Sequence, residues 1–198
     1  MDTSKQTSFL FLLLSLCISW GTSAQLLLKP TRVFDGNQMH ENWVVLVEAS
    51  EIAYAGAQSG LKVPKNTEII TLEGMTLMPG LIEGHSHLLL HPYNETSWND
   101  QVLKESTAER AIRGAVHAEK SLMAGVTTMR DLGSEGAGYA DVSLKKSIEA
   151  GIIPGPRLLV AGPAIVATGA YGPKGFHEGV NVPLGAEPAS GVGEVIAT

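Results

Sequence analysis

Two histidines one residue apart, His85 and His87, are the residues of this chain best placed to do chemistry. They follow Pro79 and Gly80, a turn-forming pair, and then apolar Leu81 and Ile82. Side chains alternate faces along a strand, so a strand over residues 81–87 turns Glu83, His85 and His87 to one side. Imidazoles two strand residues apart stand about 7 Å from each other along the chain and can close on one metal ion from the same side. The alternative is two incidental histidines at a strand end. The Pro-Gly-apolar run directly before them favours the metal reading.

The stretch Leu77-Met-Pro-Gly-Leu-Ile-Glu-Gly-His-Ser-His87 resembles the first-strand signature of the amidohydrolase superfamily. Within it the chain is similar to the imidazolonepropionase-like and Xaa-Pro-dipeptidase-like branch, from about Thr31 to its last residue. The resemblance implies a (β/α)8 barrel and a metal-dependent hydrolase. It implies cleavage of a carbon-nitrogen bond in an amide, a cyclic amide or an N-acyl amino acid, with water activated by the metal. The cofactor implied is a divalent metal, one or two ions, with zinc the default for nitrogen and oxygen ligands. Two histidines alone do not select the ion. A catalytic zinc takes three protein ligands and a water. In the resembled family the remaining ligands are a lysine, often carboxylated, two histidines and an aspartate that is also the general base. They come from later strands and have no counterpart here. A dipeptidase or carboxypeptidase on the same fold is the near alternative. A non-catalytic product or exported binding module is the rival of another class. The substrate expected is a small amide or a peptide, and the oligomeric state stays open.

Four further residues are candidates for the pocket or its support. Arg130 and Asp131 close a β-branched run over residues 126–129 and face the same rim. In the resembled family an Arg-Asp pair at this point supports the site; a structural ion pair, a loop cap and direct ligation by Asp131 are the other readings. Tyr171 follows Thr168-Gly-Ala, where relatives often carry a histidine. It is suited to donate to a substrate carbonyl or to anchor its loop. Glu83 stands where many relatives have aspartate and is expected to hydrogen-bond neighbouring strands. His40 lies next to a turn, His91 in the loop after the first strand, His117 within a helix and His177 in a long loop. None of them completes a ligand set.

The elements that must hold these residues follow from pattern. Residues 26–34, 43–48, 52–55 and 68–72 read as short strands, with Asp35-Gly-Asn37 as a turn between the first two. They predict a small N-terminal β-sandwich over residues 25–78. Residues 93–100 read as a loop. Ser106 and Glu109 form a capping box for a helix through Ala108, Ala111, Ile112, Ala115, Ala118 and Leu122, ended by Gly125. A second helix over 139–150 stops at Gly151, and residues 157–161 form a third strand. The order β-α-β-α-β predicts a parallel sheet and the start of a barrel over residues 79–198. Residues 162–190 form a Gly- and Pro-rich loop at the carboxyl face, where barrel active sites are built. A barrel takes about 250 residues. The fold class is therefore α/β, with about three β-α units of a (β/α)8 barrel, incomplete and expected to be inactive alone.

Composition narrows the partners. The chain is 44% hydrophobic and 17% charged, with a net charge of −6. It has no basic run, which argues against nucleic acid. Asn94-Glu-Thr96 is a glycosylation sequon. Lys5, the apolar run over residues 9–18 and the small residues Thr22 and Ala24 read as a secretory signal peptide over residues 1–24. The run is too short for a stable membrane span, which needs about 20 apolar residues. Cys17 is the single cysteine, so the mature chain lacks disulfide and thiolate chemistry. A secreted or periplasmic location follows. Export is expected to leave Gln25 as the first residue, which N-terminal sequencing of the exported protein checks; a mature chain that keeps residues 9–18 contradicts it.

Overall fold

The computed structural model describes residues 25–198. The proposed signal peptide lies outside the described residues. The chain divides into two compact units at Pro79 and Gly80.

The first unit is built on β1 (Gln25–Phe34). β2 (Met39–Glu41) and β3 (Trp43–Glu48) pair antiparallel with one edge of β1. β4 (Glu51–Ala57) extends that side beyond β3. β5 (Glu68–Leu77) runs parallel along the other edge, since Leu26, Leu27 and Leu28 have partners in both β3 and β5. Leu27, Val44 and Leu46 form its buried cluster. The turn after β1 is held by Asp35, whose Oδ1 accepts the amides of Asn37 and Gln38.

One five-stranded sheet therefore stands where the sequence pattern suggested a sandwich. A sandwich needs two sheets with inward faces buried against each other. Here the described strands of this unit form a single sheet, and Ile69 and Ile70 of β5 stay exposed. β5 also runs five residues past the strand expected over 68–72, through Gly74 to Leu77. The pairing of β1 with β5 shifts register between Pro30 and Arg32, and the Gly74 amide donates to Thr31 Oγ1. Gly74 takes a φ of 74°, which glycine adopts at little cost.

The second unit carries three parallel strands in the order β6 (Leu81–Ser86), β7 (Val126–Asp131) and β8 (Arg157–Val160). Between β6 and β7 lie α1 (Trp98–Lys104) and α2 (Thr107–Met123), and between β7 and β8 lies α3 (Ala140–Glu149). α1 occupies part of the expected loop. Ser97 caps it by accepting the Asp100 amide, a short cap-and-turn signal inside a polar stretch. Ser106 caps α2 through the Glu109 amide. Gly125 and Gly151, with φ of 95° and 68°, follow α2 and α3. The segment after β8 is not wholly irregular. β9 (Ile165–Val166) and β10 (Glu187–Pro188) pair in parallel and pin its two ends, before α4 (Gly191–Ala197).

The core joins Leu88 and Leu89 just after β6, Ala118 of α2, Met129 of β7, Leu144 of α3 and Leu158 of β8. α2 reaches this core through Arg110, Gly114 and Ala118, spaced i, i+4 and i+8. Ala111 and Ala115 of the expected stripe pack against the same core, while Ile112 at its edge is 70% exposed. Gly114 permits the close approach: a Cβ there would lie 2.7 Å from Leu144 Cδ1 and 3.0 Å from Leu89 Cδ2. An ordinary Gly-to-Ala change inside a helix stabilises by about 1 kcal/mol. Overpacking opposes it by roughly 1–3 kcal/mol. Gly114→Ala in the full-length protein is expected to lower the urea midpoint, and a raised midpoint contradicts this packing.

Candidate functional site

The histidine pair sits where β6 and β7 end. His85 is the penultimate residue of β6 and is exposed; His87 lies one residue beyond its end and is half-buried. The strand stops at Ser86, short of the expected His87. The two rings still stand edge to face, with centroids 5.4 Å apart. The chain leaves the strand because the Leu88 amide donates to Asp131 Oδ2 at 3.0 Å, which feeds Leu88 and Leu89 into the core.

Asp131 is the bracket of this region. Its Oδ1 accepts the Gly133 amide at 3.3 Å, so one carboxylate gathers the chain after β6 and the chain after β7. It is almost fully buried. Burial pushes its carboxyl above the ordinary range, and the two amide hydrogen bonds oppose that shift without cancelling it. Each oxygen accepts one backbone amide, the geometry expected of a supporting residue. Arg130 is not its ion-pair partner. Adjacent strand residues point to opposite faces, and the exposed Arg130 donates from Nε to the Gly84 carbonyl at 2.9 Å, stitching β7 to β6.

The His87 imidazole is oriented from behind. Its Nδ1 lies 3.2 Å from the Gly133 carbonyl oxygen, which can only accept. A hydrogen bond here needs the proton on Nδ1, and in the neutral ring that tautomer leaves the lone pair on Nε2. Glu83 serves the other histidine. Its Oε1 accepts the His85 amide at 2.9 Å, on its own strand rather than a neighbour, where the pairing of β6 with β7 shifts register.

Tyr171 is brought close by another carboxylate. Its hydroxyl donates to Glu135 Oε2 at 2.7 Å, and its ring packs edge to face on Trp98 with centroids 5.1 Å apart. Burial first, then the hydrogen bond to Glu135 and its charge, push the phenol pKa up. In this arrangement the hydroxyl proton goes to Glu135, which ties the loop of Tyr171 to the loop after β7.

Three residues of this region escaped the sequence reading. Glu135 accepts from Trp98 Nε1 at 2.8 Å as well as from Tyr171. Arg110, almost fully buried, donates from Nε, Nη1 and Nη2 to the carbonyls of Leu89, Glu135 and Ser134. Such charge-assisted bonds contribute about 1.5–3 kcal/mol each. Asp141 at the start of α3 accepts the Gly162 amide at 2.7 Å and so holds the end of β8. The available signal was spacing: Arg110 shares the i, i+4, i+8 row of Gly114 and Ala118, a row too small to be a solvent face.

The other histidines lie around the edge or elsewhere. His117 Nδ1 donates to the Leu88 carbonyl at 3.0 Å, and His91 Nε2 lies 3.2 Å from Glu105. Both line a cavity of about 450 Å³ beside His87, with Leu90, Tyr93, Lys120 and Met129. His40 stacks on Trp43 and His177 accepts the Gly179 amide. Among the described residues no group of three or more His, Cys, Asp or Glu side chains assembles to hold an ion. Nor is any described helix long and apolar enough to cross a membrane.

Parallel strands alternating with helices, with two imidazoles at the carboxyl end of the first strand, define an α/β chain. The chain belongs to the amidohydrolase family, whose sequence pattern matches residues 76–195. It is 40% identical over 65 residues to a dihydroorotase of Syntrophus aciditrophicus (strain SB), a match covering 32% of this chain and 15% of that one. A prolidase crystallised with N-methylphosphonate-L-proline superposes with a TM-score of 0.69 at 25% identity, over 87% of this chain and 42% of the prolidase. A Xaa-Pro dipeptidase with bound methionine shares the fold, with a TM-score of 0.60 at 23% identity, over 75% of this chain and 36% of the dipeptidase. The chain thus spans less than half the length of these proteins.

Asp131→Asn tests the bracket. An amide side chain offers one acceptor to two backbone amides, so one is left without its partner, at roughly 1–3 kcal/mol. The pH response has a definite sign. The folded state keeps the Asp131 proton to higher pH than the unfolded state, so this group's contribution falls as pH rises from the ordinary carboxylate range through the raised value. Urea unfolding across that range should show the wild type losing stability relative to Asp131→Asn as pH rises; parallel profiles contradict it.

Proposed function

We propose that His85 and His87 are the first two ligands of a divalent-metal centre, and that the protein is a hydrolase of carbon-nitrogen bonds in amides, cyclic amides or N-acyl amino acids. The observation that carries this reading is the imidazole pair at the end of β6, with the His87 proton fixed on Nδ1 by the Gly133 carbonyl and Nε2 left free. Metal-ligating histidines characteristically donate their other ring nitrogen in this way. The donor set fits half of a catalytic site, and further ligands must come from outside the described cluster. Zinc suits two imidazoles and is the first ion to test.

The chemistry supplied by a divalent ion at this point is polarisation of a carbonyl and activation of water at neutral pH. The chain's own residues hold and orient. His85 and His87 offer nitrogen lone pairs, the Gly133 carbonyl sets the His87 tautomer, and Asp131 fixes the backbone on both sides of that contact. The names of the similar proteins, a dihydroorotase and a prolidase, support cyclic-amide and peptide-like substrates. The signal-like residues 1–24 support action outside the cytoplasm.

The test uses the full-length protein, its metal content by elemental analysis, and a panel of N-acyl amino acids, cyclic amides and Xaa-Pro dipeptides. The wild type is expected to carry metal and turn over one of these classes. His85→Ala and His87→Ala are expected to lose metal and turnover together. Full metal content with normal turnover in His87→Ala would overturn the assignment.

A further inference from the structure

We propose that Glu135 is the positioning residue for His87, and that Trp98 and Tyr171 hold Glu135 in that place. The inference rests on the reading of His87 as a metal ligand.

The geometry is specific. Glu135 Oε2 accepts the indole N–H of Trp98 at 2.8 Å and the hydroxyl of Tyr171 at 2.7 Å. Its other oxygen, Oε1, is thereby turned to 3.6 Å from His87 Nδ1. Nδ1 thus faces the Gly133 carbonyl at hydrogen-bond distance, 3.2 Å, and the Glu135 carboxylate at a longer charge contact. Both oxygens favour a proton on Nδ1. The carboxylate adds a negative charge that makes Nε2 the better donor to a cation.

The three residues come from three different connections. Trp98 starts α1 in the connection after β6, Glu135 follows β7, and Tyr171 lies in the long segment after β8. Glu135 is buried although it is ionisable, and its backbone sits at a φ of 52°, where a residue with a side chain is strained. Gly133 and Gly136 flank it with φ of 159° and 84°. Arg110 holds its carbonyl from below at 2.8 Å. Gly185 leaves room for the Trp98 ring, since a Cβ there would lie 2.2 Å from Trp98 Cζ2. A loop needing only to be tied down does not require a buried charge in a strained conformation aimed at one imidazole.

Glu135→Gln separates the positioning role from a merely structural one. The glutamine oxygen still accepts from Trp98 and Tyr171, while the charge facing His87 is gone. The experiment reads the ring nitrogens of the metal-free, 15N-labelled full-length protein by NMR, and zinc affinity by chelator competition. In the wild type His87 is expected as the Nδ1–H tautomer. In Glu135→Gln the His87 ring signals move and those of His85 do not, and zinc binding weakens by about 10- to 100-fold, with the thermal midpoint retained. Unchanged His87 signals and zinc affinity within about twofold of wild type would overturn the proposal. If Glu135→Gln does not fold, Trp98→Phe removes one of the two holding donors, and the same selective movement of His87 is expected; its absence counts against the proposal. If the wild type binds no zinc, the metal reading fails, and the ring signals still decide whether Glu135 sets the His87 tautomer.

Discussion

The carboxylate of Asp131, closed over the amides of Leu88 and Gly133, is the contact on which the site depends. Where parallel strands end, the chain must turn into helices, and amides that leave the ladder need new acceptors. Asp131 supplies two at once, from the last position of β7. One of them belongs to the residue after His87, and the other to the residue whose carbonyl accepts the His87 proton. The backbone in front of the imidazole and the acceptor behind it are thus fixed by one side chain. The burial that pushes the Asp131 carboxyl up is the cost of placing that bracket in the core.

Arg110 meets the same need from the helix side. Its fork reaches three carbonyls, of Leu89, Ser134 and Glu135, which lie after β6 and after β7. A lysine could not reproduce three donors in fixed directions. The buried charges of Arg110 and Asp131 hold the same two connections from opposite chemical senses, one through carbonyls and one through amides. Ser134 pays for this crowding: its hydroxyl is buried with no partner among the described residues.

Elements with strong local signals were legible in the sequence. α2 announced itself by its capping box and by Gly125, and β6, β7 and β8 by short apolar runs between turns. α1 was not, because seven residues that open on a tryptophan and two polar residues carry no helical period. The sandwich expected over residues 25–78 came from short strands separated by turns. That pattern does not say whether strands share one sheet, and β1 here accepts partners on both edges. In the site, the histidine pair and Asp131 were visible as motif residues. Arg110 and Glu135 were not, since a charged residue in a helix or a Gly-rich loop reads as solvated until tertiary packing buries it. The contacts of Glu135 with Trp98 and Tyr171 span 37 and 36 residues, beyond any local pattern.

A division of labour follows from where the polar atoms are spent. Asp131, Arg130 and Glu83 each turn to backbone amides or carbonyls. Tyr171 and Trp98 turn to Glu135. Each of these groups has the chemistry to bind a substrate, and in each the hydrogen-bonding capacity described here goes to holding the scaffold. His85 and His87 stand apart. Their rings meet edge to face at the mouth of the strands, and His87 keeps Nε2 unengaged while Nδ1 is held. A ligand to a cation must arrive with its lone pair already aimed, because orientation gained only on binding would cost affinity. On the proposed metal reading, the polar contacts around β6 and β7 are what aim one of those lone pairs.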